Sequence, residues 1–379
     1  FHRIFVYSPT DILGAPTFDL GGMTLSGGWA VGDHNGFGLG SGGALLTQYG
    51  STLLHDLVVR DNLAQDQGAG VYSASRLTVE RSTFDGNSNL GPILFSGGGG
   101  AISHNSSYDL TIRDSTFVDN LALTDSASGA LFDPHGGAVQ ALSFGTITIE
   151  RSTFTGNRAR GAGGAISIGI HRTYPTAHTA VLRFLTVVDN EADTDGDAIG
   201  GNPGVYTGGS GGGIFVSDTP GTTTLEGSIV AGNLDSGPDE APDLDGLDFV
   251  SLGHNLVGVR RGNGASAFPA GQPNANDDWV GTLGAPLAHG LQALAENGGP
   301  TPSRLPDLAA GPSLVIDHGS CPGEIADQRG FANPASAGRA VDEPSVVDAD
   351  DGCDIGAVEL GAVLPLLFSD GFESQDTSR

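Results

Sequence analysis

Three blocks of eleven residues align without a gap: LTVERSTFDGN (77–87), LTIRDSTFVDN (110–120) and ITIERSTFTGN (147–157). Three looser copies keep the same register: TLLHDLVVRDN (52–62), AVLRFLTVVDN (180–190) and TTLEGSIVAGN (223–233). The blocks start 25 to 43 residues apart. A fixed unit at uneven intervals means one structural element repeated, with loops of varied length between copies. That restricts the chain to a stacked architecture.

Each block reads as strand, corner, strand. Positions one and three are apolar in the clearest copies (Leu77 and Val79, Leu110 and Ile112, Ile147 and Ile149), while positions two and four are Thr and a charge. Alternation with a period of two marks a strand with one buried face. Position eight is apolar in all six copies, and position eleven is always asparagine: Asn62, Asn87, Asn120, Asn157, Asn190 and Asn233. A glycine cluster and an apolar strand also recur, at Gly42, Gly68, Gly99, Gly136, Gly163 and Gly211. Glycine there supplies positive-φ corners and close chain approach.

Stacking such coils at ~4.8 Å puts equivalent residues over one another. The asparagines are then expected to form a structural ladder bonded up and down the stack. Phe84, Phe117 and Phe154 are expected to pile up inside. Position four runs His55, Glu80, Arg113, Glu150, Arg183, Glu226, and position five opens Asp56, Arg81, Asp114, Arg151. Opposite charges thus fall on neighbouring coils, which favours this register. Parallel strands with no room for a crossover helix imply an all-β, single-stranded parallel β-helix. The general rule for parallel connections makes it right-handed.

Composition narrows the functions available. Lys+Arg is 16 against Asp+Glu 44, a formal charge of −28, which excludes the basic surface that nucleic acid requires. No apolar run is long enough to span a membrane. The chain opens at Phe1, so it reads as a mature or trimmed product whose export is inferred. Cys321 and Cys353 are compatible with one disulfide in an oxidising compartment, or with two separate buried thiols.

The pieces STFxGN and GGAI resemble bacterial surface proteins with pectate-lyase-like β-helices, including the polymorphic outer-membrane-protein repeats. The succession SIVAGN, PDLDG, SLGHNLVG, ENGGPT, Asp327-Gln328-Arg329-Gly330 and Cys353-Asp354-Ile355-Gly356 resembles the choice-of-anchor Q family of secreted bacterial β-helix proteins. The resemblance covers most of the chain and supports right-handedness. It carries no common activity onto particular residues. We expect the β-helix over 1–260, a loop-rich C-terminal capping region over 261–360, and a terminal strand and tail over 361–379.

The search for chemistry yields no catalytic residue. Asp61, Asp119 and Asp189 recur beside the ladder asparagines and could line a face, as the paired carboxylates of a glycoside hydrolase would. Corner residues bonding their own turn are the plainer reading. The GHG and RIK patterns of pectin hydrolases, a GxSxG elbow, zinc spacing and a phosphate-binding GKS or GKT are all absent. Calcium is the better candidate, at Asp193, Asp195 and Asp197 and at Asp348, Asp350 and Asp354. Asp243, Asp245 and Asp248 form a weaker third cluster. The expected role is a non-enzymatic scaffold, extracellular or on the bacterial outer surface, presenting loops to polysaccharide or cell-surface glycans. A polysaccharide lyase or glycoside hydrolase is the rival, and a structural matrix component the third reading.

Overall fold

The computed structural model describes the chain apart from residues 1, 10–15, 33–39, 91–97, 124–133, 170–177, 197–210, 218–220, 238–241, 248, 261–265, 270, 311–312, 336–337 and 365–379. The long loops expected after Asn87, Asn120 and Asn190 lie largely outside the described residues. The described residues are all-β, with one short 3-10 turn at Leu308–Ala310. Every pairing between named strands is parallel, and three sheets of 14, 7 and 9 strands form the sides of a stack. This is a parallel β-helix.

One coil shows how the sequence makes each turn. Strand Leu110–Arg113 pairs in register with Leu77–Glu80 below and Ile147–Glu150 above, with Leu110 and Ile112 fully buried. Position five then turns the chain through a left-handed conformation in every copy. It is Asp56, Arg81, Asp114, Arg151 and Phe184 (φ 43–53°), then Gly227 (φ 54°). The next strand, Thr116–Val118, stacks on Thr83–Asp85 and Thr153–Thr155. Position ten makes the second left-handed corner and alternates Asp61, Gly86, Asp119, Gly156, Asp189, Gly232. At Gly156 a Cβ would strike Asp119 Oδ1, so a side chain on one coil lies over a bare corner on the next.

The double glycines close the coil. The first of each pair has φ near +70°, as at Gly136 (φ 69°). The second allows close approach: a Cβ on Gly137 would sit 2.0 Å from the Gly164 carbonyl oxygen of the adjacent coil.

Inside, Phe84, Phe117 and Phe154 are 0% exposed. Their rings stack face to face, with centroids 4.9 and 4.6 Å apart. Alongside, Asn62, Asn87, Asn120 and Asn157 each donate from Nδ2 to the Oδ1 of the next asparagine at 2.9 Å, and Asn190 does the same to Asn233. Each Oδ1 also accepts the backbone N–H of the preceding asparagine, as Asn120 Oδ1 does from Asn87. A serine column at position six extends the same logic. Ser115 Oγ accepts the Ser82 N–H, and Ser152 Oγ accepts that of Ser115.

Both ends of the stack reach past the blocks. Thr17–Gly21 and Thr24–Ser26 pair in register with the coil above. Trp279–Val280 pairs with Leu256–Val257, so the stack continues beyond residue 260, and Phe268 packs edge-on against Phe249 within the core. The described residues of 300–360 lie along the flank of the coils. Gln328 Oε1 accepts the Thr153 hydroxyl, Gln328 Nε2 donates to Thr116 Oγ1, and the Ala357 N–H donates to Thr186 Oγ1. Val188, Ile229, Ala231 and Leu256 turn outward there and form a second apolar core with Val315, Ile316 and Ile355.

Candidate binding clefts and acidic sites

The strand Leu45–His55 breaks register against Val71–Glu80 between Gln48 and Ser51. Tyr49 (φ 65°) and Gly50 (φ 67°) make this irregularity, which turns the Tyr49 ring outward, 43% exposed. Bulges re-aim side chains in this way. The result is a cleft of about 350 Å³ lined by Tyr49, Ala74, Asn105, Ser106, Tyr108 and Phe144. Tyr108 is 40% exposed and its backbone is pinned. The carbonyl accepts His104 Nε2–H at 3.0 Å and the Ser143 hydroxyl at 3.0 Å, and the N–H donates to Ser106 Oγ at 3.1 Å. Arg76 stands 6.0 Å from the Tyr108 ring centre and pairs with Asp109 at 3.4 Å. Three aromatic rings, an amide and hydroxyls thus meet across four successive coils. Repeat reading passes over these residues because they fall between the blocks.

A second cleft of about 320 Å³ separates the coils from the C-terminal segment, with Arg81, Asp114, Arg151, Glu324, Gln328 and Arg329 in its lining. Its guanidinium groups are committed to carboxylates. Arg81 pairs with Asp56 (2.9 Å), Arg151 with Asp114 (2.7 Å) and Glu324 (2.9 Å), and Arg329 with Asp327 (2.7 Å). Glu150 takes Arg113 at 3.0 Å and Arg183 at 2.7 Å. Burial pushes the Glu150 carboxyl up, but Arg183, Arg113 and Arg151 outweigh it and hold it below its usual range. The cations of this seam between coils and C-terminal segment are thus paired with carboxylates.

The Asp327–Gly330 and Cys353–Glu359 pieces form that seam together. The Gln328 N–H donates to the Ala357 carbonyl, Asp327 Oδ2 accepts the Glu359 N–H, and Arg329 donates to the Glu359 carbonyl. Cys321 and Cys353 form a disulfide. Arg339, fully buried, faces Glu359 at 3.3 Å.

The acidic candidates divide. Asp195 pairs with Arg160, Asp193 is buried at a left-handed turn, and Asp197 lies outside the described residues. Asp350 accepts the Ser320 hydroxyl. Asp354 is buried and accepts the N–H groups of Asp317 and Leu360. Asp348 is drawn to different partners: carboxylate oxygens of Asp317, Asp342 and Asp348 all lie within 4.8 Å of one another. Burial pushes the Asp317 carboxyl up to about 6, and the charges of Asp348, Asp342 and Glu343 add to that. Nothing in the block repeat points to Asp317 or Asp342, which fold brings beside Asp348. In the third cluster, Asp243 ends the asparagine ladder, and Asp248 lies outside the described residues. Of the corner aspartates, Asp189 is tied to Arg304 and faces His289 at 3.6 Å. Asp61 and Asp119 flank Asp85, whose carboxyl is raised by burial and then by their charges.

Compared with known proteins, residues 151–169 match the Chlamydia polymorphic membrane protein repeat. No curated protein and no solved structure matches the chain. The repeat match spans the two left-handed corners at Arg151 and Gly156, the Asn157 rung and the Gly163–Gly164 closure. Fold and match together define a β-helical protein similar to the polymorphic-membrane-protein repeats. No helix among the described residues is long and apolar enough to cross a membrane.

Proposed function

We propose that this chain is a non-enzymatic scaffold of the bacterial cell surface or surroundings, a right-handed β-helix that binds glycans through the Tyr49–Tyr108–Phe144 cleft. The cleft itself carries the reading. A sugar ring has apolar C–H faces and hydroxyls that both donate and accept. Exposed tyrosine rings offer the matching flat surface, and Asn105 and Ser107 offer both kinds of hydrogen-bonding group. The site lies on successive coils of a stiff stack, so little ordering entropy is lost on binding. The short repeat match supports the surface role. The paired Asp327–Gly330 and Cys353–Glu359 pieces support kinship with choice-of-anchor Q proteins.

The test is a glycan array with the purified chain, read for binding and for release of reducing ends. Binding without release is expected, weakened at least ~tenfold by Tyr108→Ala, the scale of one lost anchor. Reducing-end release would instead favour a glycoside hydrolase, with Asp61, Asp85 and Asp119 as the first residues to replace. Failure of every glycan to bind removes the proposal.

A further inference from the structure

The acids that fold brings together near the disulfide form a distinct feature of the C-terminal segment. Asp317 is 0% exposed and sits at a left-handed turn (φ 57°). Its N–H donates to Asp354 Oδ1 at 3.0 Å, its carbonyl accepts the Ala349 N–H at 2.9 Å, and its Oδ2 accepts the Glu343 N–H at 3.1 Å. Asp317 Oδ1 is buried and has no hydrogen-bond partner. Two exposed carboxylates, Asp342 and Asp348, close over this buried one, with one oxygen of each within 4.8 Å of the others. A buried acceptor without a donor is costly, and three carboxylates at this spacing repel one another. A cation removes both penalties.

We propose that Asp317, Asp342 and Asp348 form a calcium site. Calcium takes carboxylate oxygens at about 2.4 Å, so two ligands on opposite sides of the ion stand about 4.8 Å apart. The spacing of the three aspartates falls within that span. Asp317 supplies the fixed floor, and Asp342 and Asp348 supply the open side through which the ion enters and keeps water. The neighbouring backbone is already held: Asp351 accepts the N–H of Cys321 and of Cys353, and the disulfide joins the two. Calcium would therefore tie the 342–348 loop to a prepared wall. The other described cluster, Asp351 with Cys321 and Cys353, has its sulfurs joined to each other and offers no thiolate.

The test uses the full chain stripped with chelator and titrated with calcium by calorimetry, alongside melting curves with and without the ion. One calcium per chain and a higher melting temperature are expected. Asp342→Asn and Asp348→Asn, both at exposed positions that leave the fold intact, should each weaken binding ~tenfold or more. Asp350→Asn, whose residue points to Ser320, should bind as the parent does. Absence of binding by the parent chain overturns the proposal. So does a loss in Asp350→Asn equal to that in Asp348→Asn.

Discussion

Asn233 donates from Nδ2 to Asp243 Oδ1 over 2.9 Å, so a buried carboxylate closes the column of amide-to-amide bonds that begins at Asn62. The same oxygen accepts the Asn233 N–H, and Asp243 Oδ2 accepts that of Val259. The ladder therefore finishes on a group that accepts from three N–H donors, and its last donors are satisfied without water. Asn255 repeats the device one coil on, donating to Asp278 Oδ1 at 2.8 Å.

Breaking the column at its centre should cost far more than an exposed change. Asn120→Ala removes the acceptor of both the Asn87 N–H and one Asn87 Nδ2 hydrogen. Two buried donors left without partners cost roughly 2 to 5 kcal/mol together. Thr111→Ala, on the outward face of the adjoining strand, should stay within about 0.5 kcal/mol. Denaturant midpoints of the two variants measure the difference.

Glycine is required at the coil closure for close approach, so the second of each pair should tolerate alanine worst. Gly137→Ala places a Cβ 2.0 Å from a carbonyl oxygen of the next coil. Gly22→Ala meets nothing within 4 Å and bears only a left-handed conformation, a cost of about 1 to 2 kcal/mol. Gly137→Ala should lower the melting temperature at least twice as far as Gly22→Ala.

Acid should weaken the fold through a buried histidine. Burial lowers His104 from 6.5 to about 4, against the opposing hydrogen bond to Tyr108 and the charge of Asp109. The unfolded chain takes up this proton first, so the contribution of His104 is lost as pH falls from 6.5 towards 4. The full effect is on the order of 3 kcal/mol. His135, also lowered to about 4 by burial, acts in the same sense. Asp243, raised to about 7 by burial, acts in the opposite one, because its unfolded carboxyl ionises first as pH rises. The clean measurement is therefore a difference: the melting temperature of the parent minus that of His104→Gln should fall across that range. A constant difference would contradict it.

Docking of the C-terminal segment should depend on Gln328. Its side chain is fully buried, accepts from Thr153 and donates to Thr116 and Thr301. Gln328→Leu leaves the buried Thr153 hydroxyl without its acceptor, at about 1 to 3 kcal/mol, while the Thr116 and Thr301 hydroxyls keep the Pro302 and Asp114 carbonyls. Hydrogen exchange should speed up over 313–335 and 338–360 while the strands of 110–157 keep their protection. Equal acceleration in both would show that flank and stack unfold as one.

A residue at one place in every block must stand at one place in every coil. That is why the asparagine column, the phenylalanine stack, the charge register and the parallel all-β class were legible in the sequence. The alternation of Leu110 and Ile112 with Thr111 and Arg113 states which face is buried, and six copies state it repeatedly. The outward turn of apolar residues at Val188, Ile229 and Ala231 was not legible, because Val58 and Val118 are apolar at the matching positions of other copies. It marks the face that the C-terminal segment covers.

The sites are another matter. Asp348 was visible as part of an acidic run, yet its partners Asp317 and Asp342 are not the run's own members. Tyr49, Tyr108 and Phe144 come from three coils and from outside the repeated block. Periodic contacts follow from local spacing, since each strand need only find its copy one turn away. Contacts that depend on a bulge at Tyr49, or on how Asp317, Gln328 and Ala357 come to lie on the flank, have no period, and only the tertiary structure decides them.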